Sequence, residues 1–340
     1  SHRPAVKGAD LKNVFTLDTL DDALNIAKIA RKGKKAVIIG AGLVAFETAE
    51  ALVKREVDVT MVVRSRILRR LIEPDFSSQI QKMVEKKGLR ILVGAEVKQI
   101  VGSKSVEYVE VSIDRSFERI PASMVVFSTG IRASVKLAEE AGIKIGRSGG
   151  IHVDDYMQTS IPYIYAAGDC VETLDPVTKR LTYVPVGGIA AQSGTIAGVN
   201  ASGENTKSQG FLRAQRDNLF GIEITSIGHG TVTAKELGIK VSVENMELPY
   251  TVGKRSYFTE KNPAKAKVIV DQKGRIVGAQ VIGHKLTEQI SYALFKAVEE
   301  RMTVDEVKEL WKLPIASIAD FSMLSLSARL RPLHLSLIHI

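Results

Sequence analysis

The sequence is poor in the features that mark several protein classes. It has a single cysteine, Cys170, in 340 residues. One thiol cannot close an intrachain disulfide, which fits a reducing compartment. No uncharged apolar run approaches the roughly 18 residues that a membrane-spanning helix requires, so no membrane partner is expected. No signal-peptide pattern opens the sequence, and with the lone thiol this gives a cytoplasmic expectation. The formal net charge of +9 invites a nucleic-acid reading, but an aromatic-rich basic face is missing. Stretches such as EALVKREVD and QKMVEKKG instead alternate acid and base, which excludes nucleic acid as the expected partner. One basic cluster escapes this alternation: Arg64, Arg66, Arg69 and Arg70.

What is present is the composition of an ordinary globular protein, 45% hydrophobic and 25% charged, with length for two or three domains. Thr19 and Asp22 form a capping box, and Leu20, Ala23, Leu24, Ala27 and Ala30 fall on one helical stripe. The pattern then predicts a strand over 36–39, a glycine turn, a helix over 43–54 and a strand over 57–63. A helix near 75–87 and strands near 90–92, 106–113 and 124–128 follow. Strands alternating with helices at this spacing predict a parallel sheet. From about residue 133 the texture changes to short strands, turns and a Gly/Ala-rich helix over 190–201. From about residue 209 it changes towards β structure. VIVDQKGRIVGAQVIG reads as a hairpin turning at Lys273-Gly274. Helices over 287–300, with Ile290, Leu294, Ala297 and Val298 on one face, and 304–311, opened by the capping box of Thr303 and Glu306, close the pattern.

Two motifs carry chemistry. Gly40-Ala41-Gly42-Leu43-Val44-Ala45 fits G-x-G-x-x-G/A between a strand and a helix. In such a turn Gly40 permits the sharp bend and Gly42 lets the backbone approach a pyrophosphate. The small Ala45 lets helix and strand pack closely, and the helix N-terminus offers amides to the phosphates. The bland alternative is a βα turn with no ligand. In NAD-specific sites an acid at the end of the second strand accepts hydrogen bonds from the ribose 2′-hydroxyl. Here that place holds Val63, followed by Arg64, Arg66, Arg69 and Arg70. Guanidinium groups would bind a 2′-phosphate that a carboxylate would repel, so NADP is favoured over NAD. A solvated basic loop is the alternative. The second motif, YIYAAGD within 159–169, reads as a buried strand whose small residues let a ligand approach, ending on Gly168-Asp169. A capped strand end would read the same way.

Taken in order, these stretches resemble the pyridine nucleotide-disulfide oxidoreductase family, over roughly residues 11–325. GAGLVAFETAEAL matches its middle nucleotide fingerprint and Ser128-Thr129-Gly130 its "ATG" strand end. YIYAAGD matches its second flavin motif, and VPVGGIAAQSGTIAG its flavin-proximal helix. KVIVDQKGRIVGAQVIG and MTVDEVKEL resemble its interface domain. The branch most like this sequence is that of NADH oxidases and coenzyme A-disulfide reductases. The resemblance implies an α/β fold: Rossmann-like FAD- and NAD(P)-binding domains plus an α+β dimerisation domain at the C-terminal end. The implied divisions are a linker or flavin-domain remnant (1–10), an NAD(P)-binding domain (11–132), the later part of the FAD-binding domain (133–208), a dimerisation domain (209–328) and a tail of doubtful origin (329–340). Asp169 would bind the ribityl chain of FAD, Gly130 would lie near the junction of the nucleotide domains, and Glu47 near nicotinamide and flavin. Glu47 reads otherwise as an exposed helix carboxylate.

The sequence also departs from the family. No flavin glycine fingerprint precedes residue 36, so a segment on the order of 100 residues, one small domain, is expected to be missing. The branch's redox cysteine would lie there. Cys170 follows Gly168-Asp169 and reads as a free, partly buried thiol. Leu43 stands where many members have a tyrosine shielding the flavin. Tyr257 in RSYFTEKNP could match one of the two interface tyrosines of coenzyme A-disulfide reductases, or be a plain strand-face residue. No tyrosine stands near LWKLPIAS, and the His-Glu pair of glutathione-type reductases is absent near residue 315. The expectation is a homodimeric, FAD-dependent NAD(P)H oxidoreductase, passing hydride from nicotinamide to flavin and on to oxygen, a disulfide or a sulfur acceptor. The chain as given is expected to be inactive alone. The alternatives are a reductase for an iron–sulfur electron-transfer partner and a non-catalytic dinucleotide sensor.

Overall fold

The structure is a computed structural model that describes residues 4–114, 116–246, 264–284 and 287–311. Tyr257 and the segment 329–340 lie outside the described residues.

The first region runs β1 (Val14–Thr16), α1 (Leu20–Ile29), β2 (Lys35–Ile39), α2 (Leu43–Lys54), β3 (Asp58–Val63), α3 (Pro74–Glu85), β4 (Arg90–Val93), β5 (Glu96–Val101), β6 (Tyr108–Ile113), β7 (Ser116–Pro121) and β8 (Met124–Phe127). Strands β1-β8-β2-β3-β4 form one sheet in that order, and its pairings are parallel. Its inner strands β2, β3 and β8 are buried on both faces, which is why they read as continuous apolar runs rather than alternating ones. Helix α2 buries Ala45, Phe46, Ala49 and Leu52 in a cluster with Ile38, Val59 and Met61. Full burial of Phe46 alone is worth about 2–3 kcal/mol. Strands β5-β6-β7 form an antiparallel side sheet, of which the sequence pattern picked out only the middle strand.

Helix α1 corrects one expectation. Its capping box forms, with the Thr19 hydroxyl accepting the Asp22 amide at 3.2 Å and the Asp22 carboxylate accepting the Thr19 amide at 3.0 Å. The stripe, however, meets the core only at its last residue, Ala30. Leu20 and Leu24 are 76% and 51% exposed, while Ile26 and Ala30 are buried. The neighbours of a short helix, not its periodicity, decide which face is covered.

The second region holds α4 (Lys136–Glu140), β9 (Ile151–His152), β10 (Val171–Asp175), β11 (Arg180–Tyr183) and α5 (Gly187–Ala201). Here the expected buried strand within 159–169 is overturned. The segment folds back on itself: the Thr159 amide donates to the Ile164 carbonyl at 2.8 Å and the Ala166 amide to the Met157 carbonyl at 3.1 Å. Tyr163 sits at φ +64° and is 90% exposed. A strand exists only when a neighbour completes its ladder, and this segment makes only the bridge of Gln158 with Tyr165.

The third region contains β12 (Ala214–Leu219), β13 (Ile222–Gly228), α6 (Thr231–Glu236), β14 (Val241–Met246), β15 (Lys265–Asp271), β16 (Ile276–Gly283), α7 (Thr287–Glu299) and α8 (Val304–Trp311). The sheet order is β12-β13-β16-β15-β14, with antiparallel pairing. The hairpin β15–β16 turns at Lys273-Gly274, with Gly274 at φ +72°. Ile290, Leu294, Ala297 and Val298 of α7 are buried in the core of this region, as their spacing predicted.

The first and third regions share one core. Leu219, Phe220, Ile222, Ile224 and Ile282 belong to the same buried cluster as Phe46 and Ile80. The Phe220 amide donates to the Glu50 carboxylate at 2.9 Å, and Lys87 Nζ donates to the Phe220 carbonyl. This docking fixes the third region against the back of α2 and the start of α3.

Candidate functional site

Strand β2 delivers the chain into the turn Gly40-Ala41-Gly42. Gly40 has φ +135°, and a Cβ there would stand 2.0 Å from the Ser128 carbonyl oxygen at the end of β8. Only glycine fits. The turn is held by the Gly40 amide on the Val62 carbonyl at 3.1 Å and the Ser128 amide on the Ile39 carbonyl at 2.8 Å. Gly42 is the N-cap of α2 and no side chain caps the helix, so the first-turn amides have no intrahelical acceptor. A Cβ on Gly42 would meet nothing within 4 Å. The fully buried Ala45 lets α2 sit close to the sheet. An open approach, uncapped amides and the positive end of a twelve-residue helix suit a dinucleotide pyrophosphate.

The arginine segment leaves β3 and returns to this turn. Ile67 and Leu68 are buried, and the Leu68 amide donates to the Ala41 carbonyl at 2.8 Å. The four arginines then divide by role. Arg66 points inward: its guanidinium donates to the carbonyls of Ile72 at 2.5 Å and Arg69 at 3.0 Å, and to Ser77 Oγ at 2.9 Å. Burial lowers its pKa, partly offset by the charge of Glu73. Arg70 pairs with Glu236 at 2.7 Å. Arg64 and Arg69 are exposed and carry the charge that a phosphate could meet. Sequence reasoning missed Arg213, whose guanidinium lies beside the Arg70 carbonyl at 3.5 Å. Burial and the neighbouring Arg70 push it down to about 10. Nothing local in the stretch GFLRAQRDN could reveal it, because Arg213 leads into β12 and reaches a carbonyl more than 140 residues earlier in the chain.

Glu47 is exposed on α2. Asp217 of β12, also unforeseen, has its carboxyl raised by burial and then by the charge of Glu47. Gly130 lies past β8 at φ +113° with open space around it. In the second region Gly168 has φ +86° and its amide donates to Ser193 Oγ of α5 at 3.0 Å. The adjoining Asp169 is exposed. Helix α5 has no side-chain cap, and Cβ atoms on Gly187 and Gly188 would meet nothing within 4 Å. An exposed carboxylate next to a glycine bonded to α5, and the open glycine-rich mouth of that helix, suit the ribityl and phosphate groups of a flavin nucleotide. Burial, with the charge of Asp169, raises the Cys170 thiol, opposite to what a reactive thiolate needs. Among the described residues no cluster of His, Cys, Asp and Glu could hold a metal ion, and no helix is long and apolar enough to cross a membrane.

A parallel sheet with a glycine turn at its carboxyl end, a second open helix mouth and an antiparallel docking domain define a Rossmann-type dinucleotide-binding protein. Comparison with known proteins makes this specific. The chain belongs to the pyridine nucleotide-disulphide oxidoreductase family, whose profile matches residues 1–189, while the profile of the family's dimerisation domain matches residues 219–313. It is 33% identical over 308 residues to an NADH oxidase of Methanocaldococcus jannaschii, covering 87% of this chain and 66% of that one. It is 31% identical to an NAD(P)H coenzyme A polysulfide/persulfide reductase of Pyrococcus horikoshii, covering 85% and 64%. The solved structure of an NAD-dependent persulfide reductase from A. fulgidus superposes with a TM-score of 0.82 at 29% identity, covering 95% of this chain and 61% of that one. The chain thus spans a little under two thirds of these relatives. FAD and NAD(P)H are the cofactors of the family, and the two helix mouths are where this chain offers groups that fit them.

Proposed function

We propose that the chain binds NADPH in preference to NADH, as part of a flavin-dependent NAD(P)H oxidoreductase. When bound, the two cofactors supply the redox chemistry, hydride moving from the nicotinamide to the flavin. The chain's own residues bind and orient. The amides behind Gly42 receive the pyrophosphate, Arg64 and Arg69 the 2′-phosphate, and Asp169 a ribityl hydroxyl. Glu47 lies along the same face of α2 and Gly130 lines the route between the two sites. The names of the relatives support oxygen or a persulfide-type sulfur species as the final acceptor. The dimerisation domain pairs two copies of the chain.

One observation carries this reading: the Leu68 amide bond to the Ala41 carbonyl brings the arginine segment against the glycine turn, so a single ligand can touch both. The test is titration of the purified chain with NADPH and NADH, followed by nicotinamide fluorescence. Arg64→Ala and Arg69→Ala should each weaken NADPH about tenfold, the worth of one charged hydrogen bond, and change NADH less than twofold. Equal losses on both coenzymes would rule out recognition of the 2′-phosphate.

A further inference from the structure

The arginine segment is braced from a different domain. Its last residue before α3 is Glu73, which is 4% exposed. As the N-cap of α3, Glu73 makes no side-chain cap bond. Its carboxylate reaches into the third region instead. Oε1 accepts the Thr231 amide at 2.9 Å and Gln280 Nε2 at 3.2 Å, and Oε2 accepts the Thr231 hydroxyl at 2.6 Å. In return the Glu73 amide donates to Gln280 Oε1 at 2.7 Å. Gln280 is 1% exposed, so neither partner has water to turn to. A buried carboxylate held by this many donors is fixed in place, because losing any of them leaves a charge under-solvated.

From this node the contacts lead directly to the candidate phosphate site. The carbonyl of Ile72, one residue before Glu73, accepts Arg66 Nη1, and Arg66 Nη2 holds the Arg69 carbonyl. The Ser77 hydroxyl, which also accepts from Arg66, donates to the Ile67 carbonyl at 2.6 Å. Arg66, Ser77 and Glu73 therefore brace residues 66–73, the stretch that bears Arg69 and directly follows Arg64. Two looser contacts run alongside, Arg70 with Glu236 and Arg213 with the Arg70 carbonyl. Besides the Leu68 amide, the glycine turn has supports of its own, on Val62 and Ile39.

We propose that Thr231 and Gln280 are positioning residues for coenzyme recognition: acting through Glu73 and Arg66, they hold the arginine segment in the shape that receives the 2′-phosphate, and so set the preference for NADPH. The inference rests on the NADPH reading above. Exposed guanidinium groups on a loose loop gain little from a phosphate, whereas the same groups held in one geometry gain the full charge-assisted bond. The glycine turn keeps its bonds on Val62 and Ile39 when the node is loosened, so NADH serves as the internal control.

The experiment compares the wild-type chain with Thr231→Val, Gln280→Met and Thr231→Ser. Each is titrated with NADPH and NADH, and exchange of the Leu68 amide is followed by NMR or mass spectrometry without ligand. Thr231→Val and Gln280→Met should weaken NADPH about fivefold, a coupling of ordinary size, with NADH changed less than twofold and faster Leu68 exchange. Thr231→Ser keeps the hydroxyl and should restore wild-type values. Should Gln280→Met fail to fold, Thr231→Val, which retains the backbone donor, carries the test. An unchanged NADPH-to-NADH ratio or unchanged Leu68 exchange in folded Thr231→Val overturns the inference, as do equal losses on both coenzymes. A wild-type chain without preference for NADPH overturns the underlying reading and this inference with it.

Discussion

Among the described residues two glycine turns share one build, and one is open where the other is filled. Gly40-Ala41-Gly42 leads from β2 into α2, and Gly228-His229-Gly230 leads from β13 into α6. Both first glycines have positive φ and abut a neighbouring backbone: a Cβ would fall 2.0 Å from the Ser128 carbonyl at Gly40 and 2.3 Å from the Val277 carbonyl at Gly228. Both second glycines are N-caps with nearly identical backbones, φ −85° and ψ −177° at Gly42, φ −83° and ψ 178° at Gly230. They differ in what stands before the helix. At Gly42 the space is open for 4 Å, while at Gly230 it holds Glu73 Oε1 at 3.1 Å and Gln280 Nε2 at 3.2 Å from the Cβ position. With its amides left open, this backbone device suits an incoming anion. It becomes a weld between domains when the protein supplies the anion itself.

The comparison can be broken most severely at Gly40. Alanine there combines φ +135° with a 2.0 Å contact to backbone, and the strand end would have to move. The expected loss is about 3 kcal/mol or more, seen as a lower midpoint in urea or thermal unfolding. In the fraction that folds, NADPH and NADH should be lost together, because both use the pyrophosphate grip. If Gly40→Ala binds both coenzymes normally, the open turn is not their site.

Acid should loosen the closed turn through Asp175. Its middle residue, His229, lies 2.5 Å from Asp175 through Nε2. Burial pushes the Asp175 carboxyl up, but the hydrogen bond and charge of His229, with the Val177 amide and the Thr178 hydroxyl, outweigh it and hold the carboxyl below its ordinary value. A lowered folded-state pKa gives stability that is complete above the unfolded value of about 4 and is lost as pH falls through the folded value. Unfolding midpoints should therefore drop below about pH 4. Asp175→Asn should cost about 1–3 kcal/mol at neutral pH and flatten that acid dependence. An acid limb of unchanged steepness in Asp175→Asn would place the acid sensitivity elsewhere.

The contrast between the turns also marks what was legible in the sequence. The parallel sheet, the first glycine turn and the buried face of α7 were readable because periodicity and glycine spacing are local signals. The segment 159–169 misled, because apolar residues announce a strand without revealing whether a neighbour will pair with it. Leu20 and Leu24 misled for the same reason. The arginine cluster was visible as charge, yet its division was not: Arg66 turns inward only because Ile72 and Ser77 offer it acceptors. The second turn could have been noticed as G-H-G after the apolar run IEITSI. Its occupant could not, since Glu73 comes from more than 150 residues earlier and is brought by the docking of β12 and β13 onto α2 and α3.

The smallest change in stability belongs to the substitution that would convert the open turn into the closed kind. Gly42 has an extended φ and ψ that any residue adopts, and the space beyond it is empty. In Gly42→Asp the new carboxylate can accept a first-turn amide of α2, as Glu73 does at α6. Aspartate caps a helix only a few tenths of a kcal/mol better than glycine, so the unfolding midpoint should stay level or rise slightly. Binding should respond far more, because a fixed negative charge would occupy the place of the pyrophosphate. NADPH and NADH should both weaken more than tenfold in calorimetric titration, whereas Gly42→Ala, adding bulk without charge, should lose less. A Gly42→Asp chain that binds as wild type would show that these amides face no phosphate. One destabilised by more than about 1 kcal/mol would show that the space in front of the helix is not open, and the distinction between the two turns would fall with it.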